Sequence, residues 1–385
     1  MEEQDIQTVP PREWSNRQIS VLIFMAGLLL FSVGLSVYSF TGASIIYGKM
    51  MLKQQSFSNL FPVVSGNDFT AVPVTYAMLM QWTKPLFAGK VNMFTASLPS
   101  SLFSAFSLVF IYLIGSRKGR HPGFMGVALT VASYYFICVG RTPSPESFVV
   151  FATLGGFYAA SSPKCAASWR WPLMILLPLA GFAFYGPLGL LIPAVAVSSQ
   201  LKGVQSIVYN ICNLVAVVIL TGLVWTLYPV KDGDPMPLLN HHYELRLIIA
   251  VLIPVASLIT GNLLLNYNHH AGIEKLKKIF FKLIPFLPFA LAGAIGIQVA
   301  LISTDNNNAP RLPIMVPTII LLVCGMGMIA LPKEIKKSTR ETIMIGVLAI
   351  SIFAFKIMGV DPAIQAKYRL TNLQDTSTPR MELKK

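Results

Sequence analysis

Charge is the scarcest commodity in this sequence. Of 385 residues only 12% are charged and only sixteen are Asp or Glu, while 54% are hydrophobic. Soluble globular chains carry about 25% charged residues. The mean hydropathy of +0.63 agrees. This excludes a water-soluble enzyme, and it excludes a disordered chain, which needs high charge and low hydrophobicity. Cysteine is also sparse. Cys138, Cys165, Cys212 and Cys324 lie far apart, in or beside apolar segments, with no CxxC. That spacing gives neither a disulfide framework nor a metal cluster, and the four read as small apolar residues. The first stretch, Met1 to Gln18, is polar and acidic. It lacks the basic start of a cleavable signal peptide, so the first apolar segment is expected to remain as a spanning helix.

Long apolar runs are abundant. A helix needs about 20 apolar residues to cross a bilayer. Eleven apolar segments can be read, at 19–41, 98–115, 123–139, 147–161, 171–184, 187–198, 206–227, 246–266, 283–303, 312–332 and 342–359. The fifth and sixth are short and meet at Tyr185-Gly186-Pro187, where Gly and Pro interrupt a continuous helix. The expected fold class is therefore all-α, a polytopic bundle of about 11 crossings in a single membrane domain over 1–385.

The net charge of +14 comes from 30 Lys and Arg. In a soluble protein it would point to nucleic acid; here the positive-inside rule accounts for it. With the N-terminus inside, sixteen Lys and Arg fall on the inner side and eight on the outer, and the most basic loops share the inner face. The expectation is a multi-pass protein of the plasma (inner) membrane. Its inner tail is 1–18, its N-terminus is cytoplasmic, and a tail at 360–385 lies outside. Five basic residues in that tail oppose the rule.

One outer connection is long, at 42–97. Ala43 to Gln55 mixes Ile45, Ile46, Met50 and Met51 with Lys49 and Lys53, as an interfacial helix does. A second short helix is expected from Val74 to Trp82, with Tyr76 and Trp82 as interface aromatics. Ser65-Gly66-Asn67-Asp68 between them reads as a turn.

The stretch from about 84 to 202 carries a series of phrases. Ala96-Ser97-Leu98-Pro99-Ser100 opens the second apolar segment, Gly140-Arg141-Thr142-Pro143-Ser144-Pro145-Glu146 precedes the fourth, and Tyr185-Gly186-Pro187 separates two short ones. In order and spacing this resembles the GT-C superfamily of membrane glycosyltransferases, in particular the aminoarabinose transferase and protein O-mannosyltransferase-like branch. Its corresponding phrases are "ARLPSA", "aRtaspD" and "KGP". The resemblance implies interface helices in the first outer loop and a polyprenyl-phosphate-linked sugar donor bound from the membrane. It also implies inverting transfer to an acceptor hydroxyl on the outer face. A carboxylate would serve as base and cations would hold the leaving phosphate.

Departures from the pattern are equally informative. Ser39 to Ser44 holds no carboxylate where the family places an acidic pair. The Lys of the family's "KPP" phrase is missing at Val72-Pro73-Val74, and the Arg of "ARLPS" is replaced at Ser97. The family Asp before the fourth helix is Glu146, and the Lys of "KGP" is Tyr185. Only 360–385 follow the last apolar segment, where the family carries a large outer domain. A fold can be kept while the site on it erodes, so these departures leave open a pseudoenzyme and an enzyme with a strongly divergent site.

Asp68 and Glu146 are the catalytic candidates. Asp68 is the one acid of the 42–97 loop, and also suits a turn. Glu146 matches the family acid, and also stabilises a helix N-terminus without any ligand. Arg141 and Lys84 are the candidates for donor phosphate. Arg141 could instead pair with Glu146 or a headgroup, and Lys84 could snorkel. Asp232, Asp234 and Asp305 read as solvated turn residues, and Glu244 completes the outer acids. His241-His242 lacks a third ligand, so no metal is assigned; no cofactor is expected either. His269-His270 stands beside basic residues and suits anionic headgroups. Asn210, Asn213, Asn262 and Gln298 suit bonds between helices.

Three functions compete: an active glycosyltransferase, a non-catalytic lipid-binding or scaffolding subunit of a membrane complex, and a transporter. Expected partners are membrane lipids, a polyprenyl-phosphate-linked sugar and other membrane proteins. A transporter would show repeats and charges within helices. Essentially no acid lies inside an apolar segment and no clear repeat is found, which argues against it.

Overall fold

The computed structural model describes residues 14–35, 74–87, 92–163, 165–227, 241–266, 271–295, 312–332 and 334–356. Among them secondary structure is helical, with no strand. Each of the eleven apolar segments contains a helix. Among the described residues, four single helices meet the length and composition of a membrane span: Met93–Lys118, Val204–Leu223, Leu245–Leu263 and Lys277–Ile295. The chain is thus an all-α, multi-pass membrane protein. Several other helices are shorter than a bilayer core, among them α8, which matches the short sixth segment read from the sequence.

Helix α1 (Asn16–Ser32) starts at a capping box: Gln18 N–H donates to Ser15 Oγ at 3.3 Å, and Ser15 N–H donates to Gln18 Oε1 at 2.9 Å. It ends at an extended Val33 followed by Gly34 at φ +77°. Helix α2 (Val74–Leu86) covers the short helix expected from Val74 to Trp82; Ala43 to Gln55 lies outside the described residues. Helix α3 (Met93–Gly115) starts at the Asn92–Thr95 capping box and packs along α1. A 3₁₀ turn (Ser116–Lys118) leads to α4 (Arg120–Ala132), then α5 (Tyr134–Arg141). Sequence patterning gives one segment at 123–139, but the chain bends by 76° at Ser133, so α4 and α5 are separate.

Helices α6 (Glu146–Ser161), α7 (Ala167–Tyr185) and α8 (Pro187–Ser198) follow. The expected break falls at Gly186, whose φ of +71° only glycine adopts readily. The hairpin it makes is closed by Gly181 and Gly189, since a Cβ on Gly181 would sit 1.9 Å from the Gly189 carbonyl oxygen. Helix α8, at about 18 Å, is too short to cross a bilayer core upright.

Helix α9 (Val204–Leu227) shows Ile207, Ile211, Leu214, Val218 and Ile219 at its surface, as a lipid-facing helix does. Helix α10 (His241–Asn266) packs on α4, as does α13 (Lys337–Ala354). Between them lie α11 (Ala271–Leu283), helical turns at 287–295 and α12 (Leu312–Ile329). On α11, Lys278 forms an exposed i,i+4 pair with Glu274 at 2.9 Å, and that hydrogen bond holds the Glu274 carboxyl below its usual range. Lys277 instead makes a buried ion pair with Glu341 of α13 at 3.0 Å.

The main core runs between α1, α3, α4, α5 and α6, around Phe31, Leu108, Ile111, Tyr112 and Phe136. A second cluster joins α2 to the rest through Tyr76, Met80, Ala96, Phe148 and Phe184. Phe148 and Phe184 stack there with centroids 3.9 Å apart. This second cluster forms the floor beneath the α5–α6 link.

Candidate functional site at the α5 to α6 link

Residues 142–145 connect α5 to α6 at the bundle end where α1 finishes and α3 begins. Pro143 and Pro145 keep this link out of a helix. Two charged residues frame it, Arg141 and Glu146, and both are buried, at 2% and 6% exposure.

Arg141 reaches across to α1. Its Nη1 donates to the carbonyls of Leu30 at 3.1 Å and Val33 at 2.9 Å. These belong to the last turn of a helix, where carbonyls lack intrahelical partners and the dipole is negative. The guanidinium therefore caps α1 from another helix. The backbone beside it is equally tight: a Cβ on Gly140 would meet the Phe31 ring at 2.4 Å. Ser101 Oγ donates to the Gly140 carbonyl at 2.9 Å. The Arg141 Cζ also lies 6.0 Å from the Phe353 ring centroid.

Glu146 occupies the first turn of α6, where the positive end of the helix favours a carboxylate. Its Oε2 accepts a short hydrogen bond from the Ser144 hydroxyl. Ser144 is itself held by Ser100 of α3. Ser100 Oγ donates to the Ser144 carbonyl at 3.0 Å and accepts from the Ser144 N–H at 2.9 Å. Tyr76 of α2 completes the set, with its Oη 2.5 Å from Ser100 Oγ and 3.2 Å from the Ala96 carbonyl. A serine hydroxyl carries one proton. The phenol likewise has one proton, shared between the Ala96 carbonyl and Ser100 Oγ, and either hydroxyl can be the donor in the Tyr76–Ser100 bond. The chain from Tyr76 to Glu146 thus passes through the Ser144 backbone. It positions the carboxylate and is no continuous proton relay.

Two further cations stand at the same end. Arg246, near the start of α10, accepts at its carbonyl from Tyr135 Oη of α5 at 3.1 Å. Lys356 lies with its Nζ 5.3 Å from the Tyr134 ring centroid and is buried.

The structure thus brings Arg141 and Glu146 to one link. Lys84 lies eight residues beyond Tyr76 on α2, about 12 Å along its axis. It is apart from the buried set, near the start of α3, where Thr83 Oγ1 donates to the Thr95 carbonyl at 2.8 Å. Asp68 lies outside the described residues. Sequence reasoning missed Tyr76, Ser100 and Ser144 as supports of Glu146, and Arg246 and Lys356 as neighbouring cations. Ser144 was detectable, because a hydroxyl two residues before a helix-opening acid is a local pattern. The others depend on contacts between distant helices.

No protein-family model matches the chain, and no curated protein sequence does. Solved structures do match. The chain is similar to ArnT from Cupriavidus metallidurans bound to undecaprenyl phosphate, at 12% identity, with a TM-score of 0.55 over 94% of this chain and 81% of that one. It is similar to the apo state of the same protein at 13% identity, with a TM-score of 0.57 over 95% of this chain and 82% of that one. At such identity the likeness concerns the fold. The fold is GT-C-like, as the resemblance read from the sequence implied.

Proposed function

We propose that the protein handles a polyprenyl-phosphate-linked sugar at the bundle end that holds Glu146, on the outer face of the plasma membrane. The observation that carries this reading is the buried carboxylate of Glu146, held by Ser144 and Ser100 and tied through Tyr76 to a helix of the first outer loop. It sits in a fold shared with a protein crystallised with undecaprenyl phosphate. Arg246, whose carbonyl accepts from Tyr135 of α5, supplies a cation at the same end.

As a transferase the protein would let an acceptor hydroxyl attack the anomeric carbon with inversion. The bond from that carbon to the phosphate oxygen breaks, and the hydroxyl proton passes to a carboxylate. Asp68 or Glu146 takes that proton, while Arg141 and Lys84 with Arg246 hold the released lipid phosphate.

A second reading has its own support. Arg141 Nη1 is engaged with two backbone carbonyls, and the first outer loop lacks the family's acidic pair. Both favour a lipid-binding subunit without catalysis. An assay of the purified full chain with labelled polyprenyl-phosphate sugars and membrane acceptors separates the two. Transfer that Asp68→Asn abolishes, with donor binding retained, supports the enzyme and names the base. Binding without transfer across donors supports the subunit, and absence of both overturns the proposal.

A further inference from the structure

A cavity of about 460 Å³ opens at the opposite end of the bundle, between α3, α4, α6, α8 and α10. That volume is in the range of small-molecule sites. Its walls are apolar, with Leu154, Phe157, Ala196 and Leu258 among them, and none of its lining residues is acidic. On α6 it is lined by Thr153, Leu154 and Phe157, about 6 Å of the helix axis. Two cations stand at its rim, Arg117 and Lys118, both exposed.

Arg117 is not a loosely waving charge. Its Nη1 donates to the Ser161 carbonyl at 3.3 Å, and its Cζ lies 5.4 Å from the Tyr158 ring centroid. The guanidinium is thus anchored between α3 and the end of α6, while its side chain stays open to the surroundings. Lys118 adds a mobile point charge beside it. A slot with greasy walls and a two-cation rim, at the end of a membrane helix, matches a lipid's own polarity. A neutral headgroup would leave both cations unused, whereas a phosphate with net negative charge would meet them.

We propose that this cavity is a binding site for an anionic glycerophospholipid of the inner leaflet. One acyl chain lies against Leu154 and Leu258, and the phosphate rests on Arg117 and Lys118. The site is separate from the Glu146 end and does not depend on the reading of that end.

The test uses the purified full chain in detergent, stripped of lipid and titrated with phosphatidylglycerol or phosphatidylcholine while bound lipid is counted by native mass spectrometry. Phosphatidylglycerol is expected to bind at least ten-fold more tightly. Lys118→Gln alters an exposed residue and keeps the fold. It should weaken that preference several-fold, as expected for one basic residue near an anionic headgroup. Ala196→Trp should fill the slot and lower occupancy of both lipids, with helicity by circular dichroism reporting that the bundle is intact. Equal affinity for the two lipids overturns the proposal. So does a preference that neither variant changes. Glycerophosphoglycerol, the headgroup without chains, should not compete at concentrations where the whole lipid saturates; competition by it would assign the site to a soluble phosphate instead.

Discussion

Arg141→Ala probes the clamp at the end of α1. The wild-type guanidinium donates two hydrogen bonds to carbonyls of α1 from a position only 2% exposed. Bonds to a charged partner contribute about 1.5–3 kcal/mol each in soluble proteins. Hydrogen bonds between membrane helices average about 0.6 kcal/mol. A cation at the negative end of a helix adds about 0.3–1 kcal/mol. The clamp is at a helix terminus, between the two environments, so the expected loss is about 3 kcal/mol. The assay is reversible unfolding of the purified protein in mixed micelles with increasing SDS, followed by tryptophan fluorescence. Arg141→Lys keeps the charge but not the planar fork, and is expected to lose about half as much. If Arg141→Ala unfolds within about 0.5 kcal/mol of wild type while losing affinity for polyprenyl phosphate, the guanidinium serves the ligand and the clamp argument fails.

Three other outcomes follow from the packing. Gly140→Ala should destabilise by about 1–3 kcal/mol in the same assay, because its methyl would enter the Phe31 ring. Lys277→Met should cost about 3–5 kcal/mol by stranding Glu341, and Glu341→Leu added to it should recover most of the loss; a double variant no better than the single would refute the pair. Gly189→Ala should open the α7–α8 hairpin, since its Cβ would lie 2.1 Å from the Gly181 carbonyl oxygen. A variant with unchanged unfolding would show that this close approach is not needed.

The helices were legible because bilayer burial imposes an apolar run on each, and the break at Gly186 because Gly and Pro mark it directly. The bend at Ser133 was not, since Ala132-Ser133-Tyr134 contains neither residue. Residues Arg141 and Glu146 stood out as charges beside apolar segments, so their place at one link followed from sequence. Their surroundings did not. Arg141 caps carbonyls more than a hundred residues earlier, and Glu146 is supported through Ser100, 44 residues before Ser144. Such pairings are chosen by helix packing, which leaves no period in the chain. The short sixth segment was legible as well: 187–198 was read as one short apolar run, and α8 spans Pro187–Ser198. It ends where the chain turns at Ser199 to Gly203.

The central claim is that a polyprenyl phosphate binds at the Glu146 end. Photo-crosslinking measures this directly, with a light-activated polyprenyl phosphate added to membranes containing the full chain and the labelled peptides mapped. The account predicts labels between Arg141 and Ser147 and around Arg246, displaced by unlabelled undecaprenyl phosphate and reduced by Arg246→Gln. Labels confined to the Arg117 end, or labels that the unlabelled lipid does not displace, would contradict it.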